Sequence, residues 1–544
     1  MPDEQQQLST RRSMIAKGGA LLGTCLLAGA SIPAKAQTSN VNNTEPIDVR
    51  KFGASGKRSD NATKAFRTAL ETAASRGGGT VNVPPGEYTV GTIQLKDNVT
   101  LNIEAGATLF LSQVKEDFFG PSPTMIYAEN AKNIAVTGRG TLDGLAQYEY
   151  TEIQRLDPEI TKEMEIARAA GVDMRKYYRK TSALNAYMFV INDCTNFLLT
   201  DVTLINTPLW NIRLNDCSRV FIRGIYIYSD LEKAINSDGI DIVSTSNVTI
   251  SDCVIETADD SICIKTSPRN GKKANPSENI TVTNCVLTSS STALVIGTET
   301  HADIKHVLFN NCVIRNSNRG LGINVQDGAT VSDVIFSNIT IETNRRHWNW
   351  WGDAEMCKFV LKKRTETSAL GVIKDIVIQN VIANVRGTST IKGYAGQALQ
   401  NISFSNVQLF MMPENSKDKR ASHALHIEGV DGLKIRDLSV KWAEETEPKW
   451  QSAMVLKNVT DFVVDSFSGR QGLKNGNDAA IVLDNATDGV IRNSKASEGT
   501  NTFVHIKGNP KNFVTFKDNE ARKAKKAIDF EKEVKNSVGR GGGL

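Results

Sequence analysis

From about residue 196 onward a six-residue phrase keeps returning in the chain. A polar residue comes first, then apolar side chains alternating with others, then Asn, Asp or Gly. It reads NFLLTD from Asn196, RVFIRG from Arg219, NVTISD from Asn247, NITVTN from Asn279, HVLFNN from His306 and DVIFSN from Asp333. It continues as DIVIQN from Asp375, NISFSN from Asn401, GLKIRD from Gly432, DFVVDS from Asp461, DGVIRN from Asp488 and NFVTFK from Asn512. Apart from one gap of 42 residues, the intervals run from 23 to 32. Two-residue alternation inside a unit of that length predicts a solenoid of short strands. A propeller needs about forty residues and four strands per unit, and a leucine-rich solenoid needs a Leu ladder that is absent. The expected fold is all-β, a right-handed parallel β-helix. Its coils lie about 4.8 Å apart, so residues one coil apart in sequence become neighbours in space.

An open stack of coils exposes strand edges at its ends. Asn61 to Gly78, NATKAFRTALETAASRGG, has helical spacing at Ala62, Phe66, Leu70 and Ala73 and reads as an N-terminal capping helix. One segment breaks the repeat. Residues 148–180, rich in charge and in helix formers, are longer than a connecting loop needs and predict a helical insertion. An insertion on a solenoid maps to a loop on one face, often the binding face, although an exposed helical hairpin with no role in the site fits the same residues.

The N-terminus reads as an export signal and not as part of the fold. Arg11 and Arg12 precede a Gly- and Leu-rich run, and Ala34-Lys35-Ala36 offers a small-x-small cleavage site. Residues 1–36 resemble a twin-arginine signal, with an ordinary Sec signal as the alternative; either implies a bacterial periplasmic or secreted product. The mature chain, 37–544, is expected to be one domain with no later membrane span, and a monomer, since a solenoid buries its own core. A formal charge of +4 on 544 residues gives no reason to propose nucleic acid as a partner. Aromatics at 6% and 41 glycines suit short strands and turns. Of eight cysteines, Cys25 leaves with the signal, and an odd remainder argues against a complete disulfide framework. Cys194, Cys217, Cys253, Cys285 and Cys312 recur at one point of the repeat and read as small core residues. No spacing resembles a zinc site, and no metal or cofactor is expected.

Against this frame the stretch NSDGIDIVSTSNVTISDCVIETADD, Asn236 to Asp260, stands out. Asp238 and Asp259 are about one coil apart and should share a face on adjacent rungs. Adjacent strand residues point to opposite sides, so Asp259 and Asp260 share a cleft only if the strand bends or ends there. Three clustered carboxyls suit glycosidic hydrolysis: one, kept protonated by its charged neighbours, gives its proton to the leaving oxygen while ionised partners activate a water.

Several phrases in order carry a resemblance: DVRKFGASGKRSDNATKAF; NTPLWNIRL, Asn206 to Leu214; NSDGIDI; ADDSICIKT, Ala258 to Thr266; ALVIGTE, Ala293 to Glu299; and WWGDAE, Trp350 to Glu355. Over nearly all its mature length the chain resembles glycoside hydrolase family 28, the polygalacturonase family. The resemblance implies Asp259 as general acid, Asp238 and Asp260 as holders of the water, inversion at the anomeric carbon, and Asn236, Lys265 and Glu299 as cleft residues. Two departures follow from it. The family's Gly-His-Gly aligns with Ser291-Thr292-Ala293, and its carboxylate-gripping Arg-Ile-Lys aligns with Gly322-Ile323-Asn324. Arg319 or His301 could return the missing charge. Trp350 and Trp351, and less so Trp348, are candidates for stacking on sugar rings.

The expected activity is therefore hydrolysis of a pectin-like polysaccharide, of galacturonan or rhamnogalacturonan type, with another uronate or sulfated glycan open. A β-helical lyase, using a Lys or Arg base and calcium, and a silent glycan-binding β-helix are the competing readings.

Overall fold

The computed structural model describes residues 45–146, 150–153, 158–172, 177–180, 184–346, 351–474, 476–508 and 514–531. The export signal expected at 1–36 lies outside them. The described residues form one continuous sheet of 39 strands, with a separate two-stranded hairpin. Nearly every strand pairs in parallel with the strand one coil further on, which is the expected right-handed β-helix.

The repeated phrase marks one side of each coil, and its ends have a backbone reason. Asn196, Arg219, Asn247, Asn279, His306, Asp333, Asp375, Asn401, Gly432, Asp461 and Asp488 all have positive φ, and so do the closing residues from Asp201 to Asn493. Asn, Asp and Gly visit that left-handed region at least cost, so the phrase is bounded by the residues that let the chain turn a corner. Side-chain amides then stack between coils, as in Asn380 to Asn338 (3.0 Å) and Asn406 to Asn380 (3.0 Å). Inside the corners, apolar residues stack in register. Leu214, Ile242, Ile264, Ile296, Ile323 and Phe359 form one fully buried column through six successive strands. The seven cysteines of the described residues are free and buried, as expected of core residues.

The capping helix is present as α1, Thr63–Ser75, with the Thr63 N–H donating to Asn61 Oδ1 at its start. Ala62, Phe66, Leu70 and Ala73 are buried, and Phe66 packs edge-on against Tyr88. The insertion differs from expectation. Among the described residues a strand pair, Tyr150–Ile153 with Tyr177–Lys180, frames the helix α2, Pro158–Ala169, so the insertion carries strand as well as helix. Glu163 of α2 accepts from Arg420 Nη1 (2.6 Å), which also donates to Asp353 (3.0 Å) beside Trp351.

Candidate active site

One face of the solenoid is built by the strands Ile212–Asn215, Ile240–Val243, Ile262–Thr266, Thr292–Thr300, Arg319–Val325 and Glu355–Leu361, each in register with the next. Outward residues of the last four of these strands, with corner and loop residues beside them, line a cleft of about 630 Å³. Asp238, Asp259 and Asp260 all open into it, and each presents a carboxylate oxygen within 4.8 Å of the other two. The condition on Asp259 and Asp260 is met by local geometry. The strand Val254–Thr257 ends before them, and the next begins at Ile262, so both lie on the corner between two faces. Thr257 Oγ1 and Ser289 Oγ donate to the Asp259 carbonyl (2.9 and 2.7 Å) and hold that corner.

Each carboxylate has a different surrounding. Asp259 is buried, with its Oδ1 accepting from the Asp260 N–H (2.9 Å). Burial first, then the charge of Asp260, pushes its pKa up to about 7. Asp260 Oδ1 accepts from Ser291 Oγ (2.7 Å) and the Thr292 N–H (3.0 Å). These are the residues standing where the family pattern has Gly-His-Gly, and here they serve Asp260. Asp238 Oδ2 faces Lys265 Nζ at 3.4 Å, and Asp238 Oδ1 is buried with no hydrogen-bond partner. Burial raises the pKa of Asp238 well above the carboxylate range and that of Asp260 less far.

Lys265 lines the cleft yet is buried within the cluster. Its ammonium donates to Asp241 Oδ1 (2.7 Å) and lies 4.1 Å from the Trp210 ring centre. Asp241 is fully buried, and its pKa is up to about 6 through burial, opposed by Lys265. Neither Asp241 nor Trp210 stood out in the sequence as a site residue. The signal was available for Asp241, three positions after Asp238 on the strand that pairs with Lys265's own.

Asn236, Glu299, Arg319 and Trp351 line the same cleft. Arg319 is bound to Glu355 (2.6 Å) and donates to Thr292 Oγ1 (3.3 Å). His301 is a correction. It is exposed, does not line the cleft, and faces Asp327 at 3.7 Å. It stands one residue past the strand Thr292–Thr300, whose Thr298 and Glu299 do line the cleft. Trp348 and Trp350 lie outside the described residues. Lys358, Lys362 and Arg364 also line the cleft and were not singled out in the sequence.

Three carboxylates with oxygens this close could also clasp a divalent cation. As a proton-transfer set, the cluster is tighter than the roughly 6.5–9.5 Å that separates acid from base in most inverting glycosidases.

A family model described as Glycosyl hydrolases family 28 matches residues 74–424, more than half of the chain. The chain belongs to glycosyl hydrolases family 28. Curated relatives include an exo-poly-alpha-D-galacturonosidase of Dickeya chrysanthemi, 25% identical over 328 residues that make up 51% of this chain and 53% of that one. An endo-polygalacturonase of Pectobacterium carotovorum subsp. carotovorum is 28% identical over 235 residues, 40% of this chain and 55% of the relative. The chain thus spans about half the length of these family 28 relatives. Among solved structures, a hyperthermoactive exopolygalacturonase from Thermotoga maritima superposes with a TM-score of 0.59 at 23% identity, covering 73% of this chain and 92% of that one. A family 28 exopolygalacturonase of Yersinia enterocolitica gives 0.59 at 20% identity, covering 77% and 79%. These structures share the β-helical fold of the family 28 chain described above.

Proposed function

We propose that this family 28 chain is an exported, monomeric hydrolase of a pectin-type polysaccharide, cutting between sugars that carry carboxylates. The observation that carries the reading is the gathering of Asp238, Asp259 and Asp260 around one point of a solvent-open cleft, with Asp259 holding a proton up to about pH 7. Relatives named as galacturonan hydrolases support the substrate class. The paired arginines at 11 and 12 support export of a mature domain beginning at 37.

In this reading Asp259 gives its proton to the glycosidic oxygen as the bond to the anomeric carbon breaks. A water held between Asp238 and Asp260 loses one proton to the carboxylate of Asp260, the less raised of the two, as its oxygen bonds to that carbon. Asp238 Oδ1, buried without a partner among the described residues, suits such a water, because Lys265 takes Asp238 Oδ2 and the Ser291 and Thr292 donors take Asp260 Oδ1. Oxygens 4.8 Å apart or less can be bridged by one water, so the product inverts despite the tight cluster. The anomer first released, followed by proton NMR, tests this step; the retained anomer overturns the water placement.

Incubation of the mature chain with polygalacturonate tests the reading itself. Reducing ends appear, and a chelator leaves the rate unchanged. An unsaturated, ultraviolet-absorbing product with loss of activity on chelation supports the lyase instead, and binding without turnover across pectic polysaccharides supports a silent module.

A further inference from the structure

The cations lining the cleft are matched with partners, with one exception among the described residues. Lys265 is held by Asp241 and Asp238, Arg319 by Glu355, and Arg364 by Asp327. Lys362 has a partner of its own. Lys358 has neither a hydrogen bond nor an ion pair to a described residue, although it is half-buried and its side chain opens into the cleft. Its strand neighbours Cys357 and Phe359 are buried in the core, which fixes Lys358 on the outward side. Burial, and then the charge of Arg319, pull its pKa below the ordinary lysine value, with Glu355 and Asp353 opposing. A cation in that condition gains from any anion that reaches it.

The rung beside it carries no side chain of its own at the facing position. Lys358 pairs in register with Gly322, and Gly322 with Val295. A Cβ at position 322 would lie 2.9 Å from Val295 Cγ2 and 3.1 Å from Thr292 Cγ2, so that position admits no side chain without movement of the cleft floor. Lys358, Gly322 and Thr292, whose N–H holds Asp260, all line the one cleft. One coil further on, the residue in register with Gly322 is this lysine.

We propose that Lys358 is the specificity-determining residue of the cleft: its ammonium takes an oxyanion on the sugar chain, the carboxylate of a uronate, to one side of the bond being cut. The assignment of a uronate rests on the hydrolase reading above; the anion site does not. A sulfate ester offers the same chemistry. Calorimetric titration separates them, using chains that carry Asp259→Asn to prevent turnover, with Lys358 either intact or changed to Met. The ligands are trigalacturonate, its methyl ester and a sulfated galacto-oligosaccharide. Loss of one charge-assisted hydrogen bond weakens trigalacturonate binding by about 10–100-fold in the Met variant. Lys358→Arg restores most of that affinity, and the methyl ester binds both chains alike. Equal affinity of both chains for trigalacturonate, or an equal loss on the methyl ester, overturns the proposal. A loss confined to the sulfated ligand overturns the uronate in favour of sulfate. Equal melting temperatures of the chains with and without Lys358→Met exclude a folding defect. If the unsubstituted chain releases no reducing ends from polygalacturonate while Lys358-dependent binding remains, the hydrolase reading falls and the anion site stands.

Discussion

Two stretches of the same face, one coil pair apart, hold their charges in opposite ways. Between Asp238 and Lys265 the charges are crowded, buried and locked to one another: four carboxylates share one ammonium, and Trp210 covers it. Between Arg319 and Arg364 the charges are mostly basic, spread along the cleft wall, and one of them is unmatched. The first arrangement raises carboxyl pKa values and so prepares protons for transfer; the second presents cations to a ligand. The acidic and basic halves of the cleft are thus separable by burial and by sign. The same register that stacks the core also stacks these two chemistries side by side.

The largest effect expected from breaking this contrast lies at Asp259. Asp259→Asn removes the proton donor, and turnover of polygalacturonate falls by about 10²–10⁴-fold. In the unsubstituted chain kcat/KM declines as pH rises through about 7, where Asp259 loses its proton. Stability moves with it. The folded-state pKa is raised from 3.8 to about 7, so the folded chain binds a proton that the unfolded chain releases over that window. The stability from this carboxyl is complete below about pH 4 and is lost as pH climbs through about 7. Asp259→Asn therefore melts at a higher temperature than the unsubstituted chain at pH 8 and at the same temperature at pH 4. An unchanged difference between the two pH values sinks the assignment of a buried, protonated Asp259.

Much of this was legible in the sequence because it repeats. The phrase that begins and ends on Asn, Asp or Gly is the trace of two left-handed corners per coil, and the interval from Asp238 to Asp259 is one coil. What was not legible depends on register. Lys358 is 36 positions beyond its neighbour Gly322, because the chain makes an excursion through Trp351 before it returns to the face. A motif compared position by position shows a basic residue missing; compared rung by rung, it shows one displaced. His301 failed for the converse reason. Its place in the sequence, close after Glu299, looked favourable, but it stands just past the end of the strand Thr292–Thr300 and faces Asp327. Trp210 was read only as part of a phrase, since its contact with Lys265 joins residues on non-adjacent strands.

The next effect is expected at Lys265. Lys265→Met leaves Asp238 and Asp241 buried without their cation, and breaking such a pair costs about 3–5 kcal/mol of stability. Loss of the ammonium also makes Asp238, Asp241 and Asp260 harder to ionise, because Lys265 is a lowering influence on all three. The acid limb of the rate profile, which needs ionised carboxylates around the water, moves to higher pH. At pH 5 kcat/KM falls roughly tenfold or more, since each pKa unit is a factor of ten in the ionised fraction. A variant that loses stability but keeps its acid limb shows that Lys265 only braces the fold.

The smallest effect is expected where the insertion meets the cleft. Glu163 on α2 and Asp353 next to Trp351 are held by the same guanidinium, Arg420, so the insertion is tethered to the wall that carries the sugar-reading charges. That tether is partly exposed, with 18% of the Arg420 side chain and 30% of the Glu163 side chain open to solvent, and pairs of that kind contribute about 1 kcal/mol or less. Glu163→Gln keeps the shape and removes the charge. KM for polygalacturonate then rises by no more than about fivefold, the factor that 1 kcal/mol allows, while kcat stays level because no group near Asp259 has changed. A fall in kcat with unchanged KM would instead connect the insertion to the acids, and the division between the two halves of the cleft would have to be redrawn.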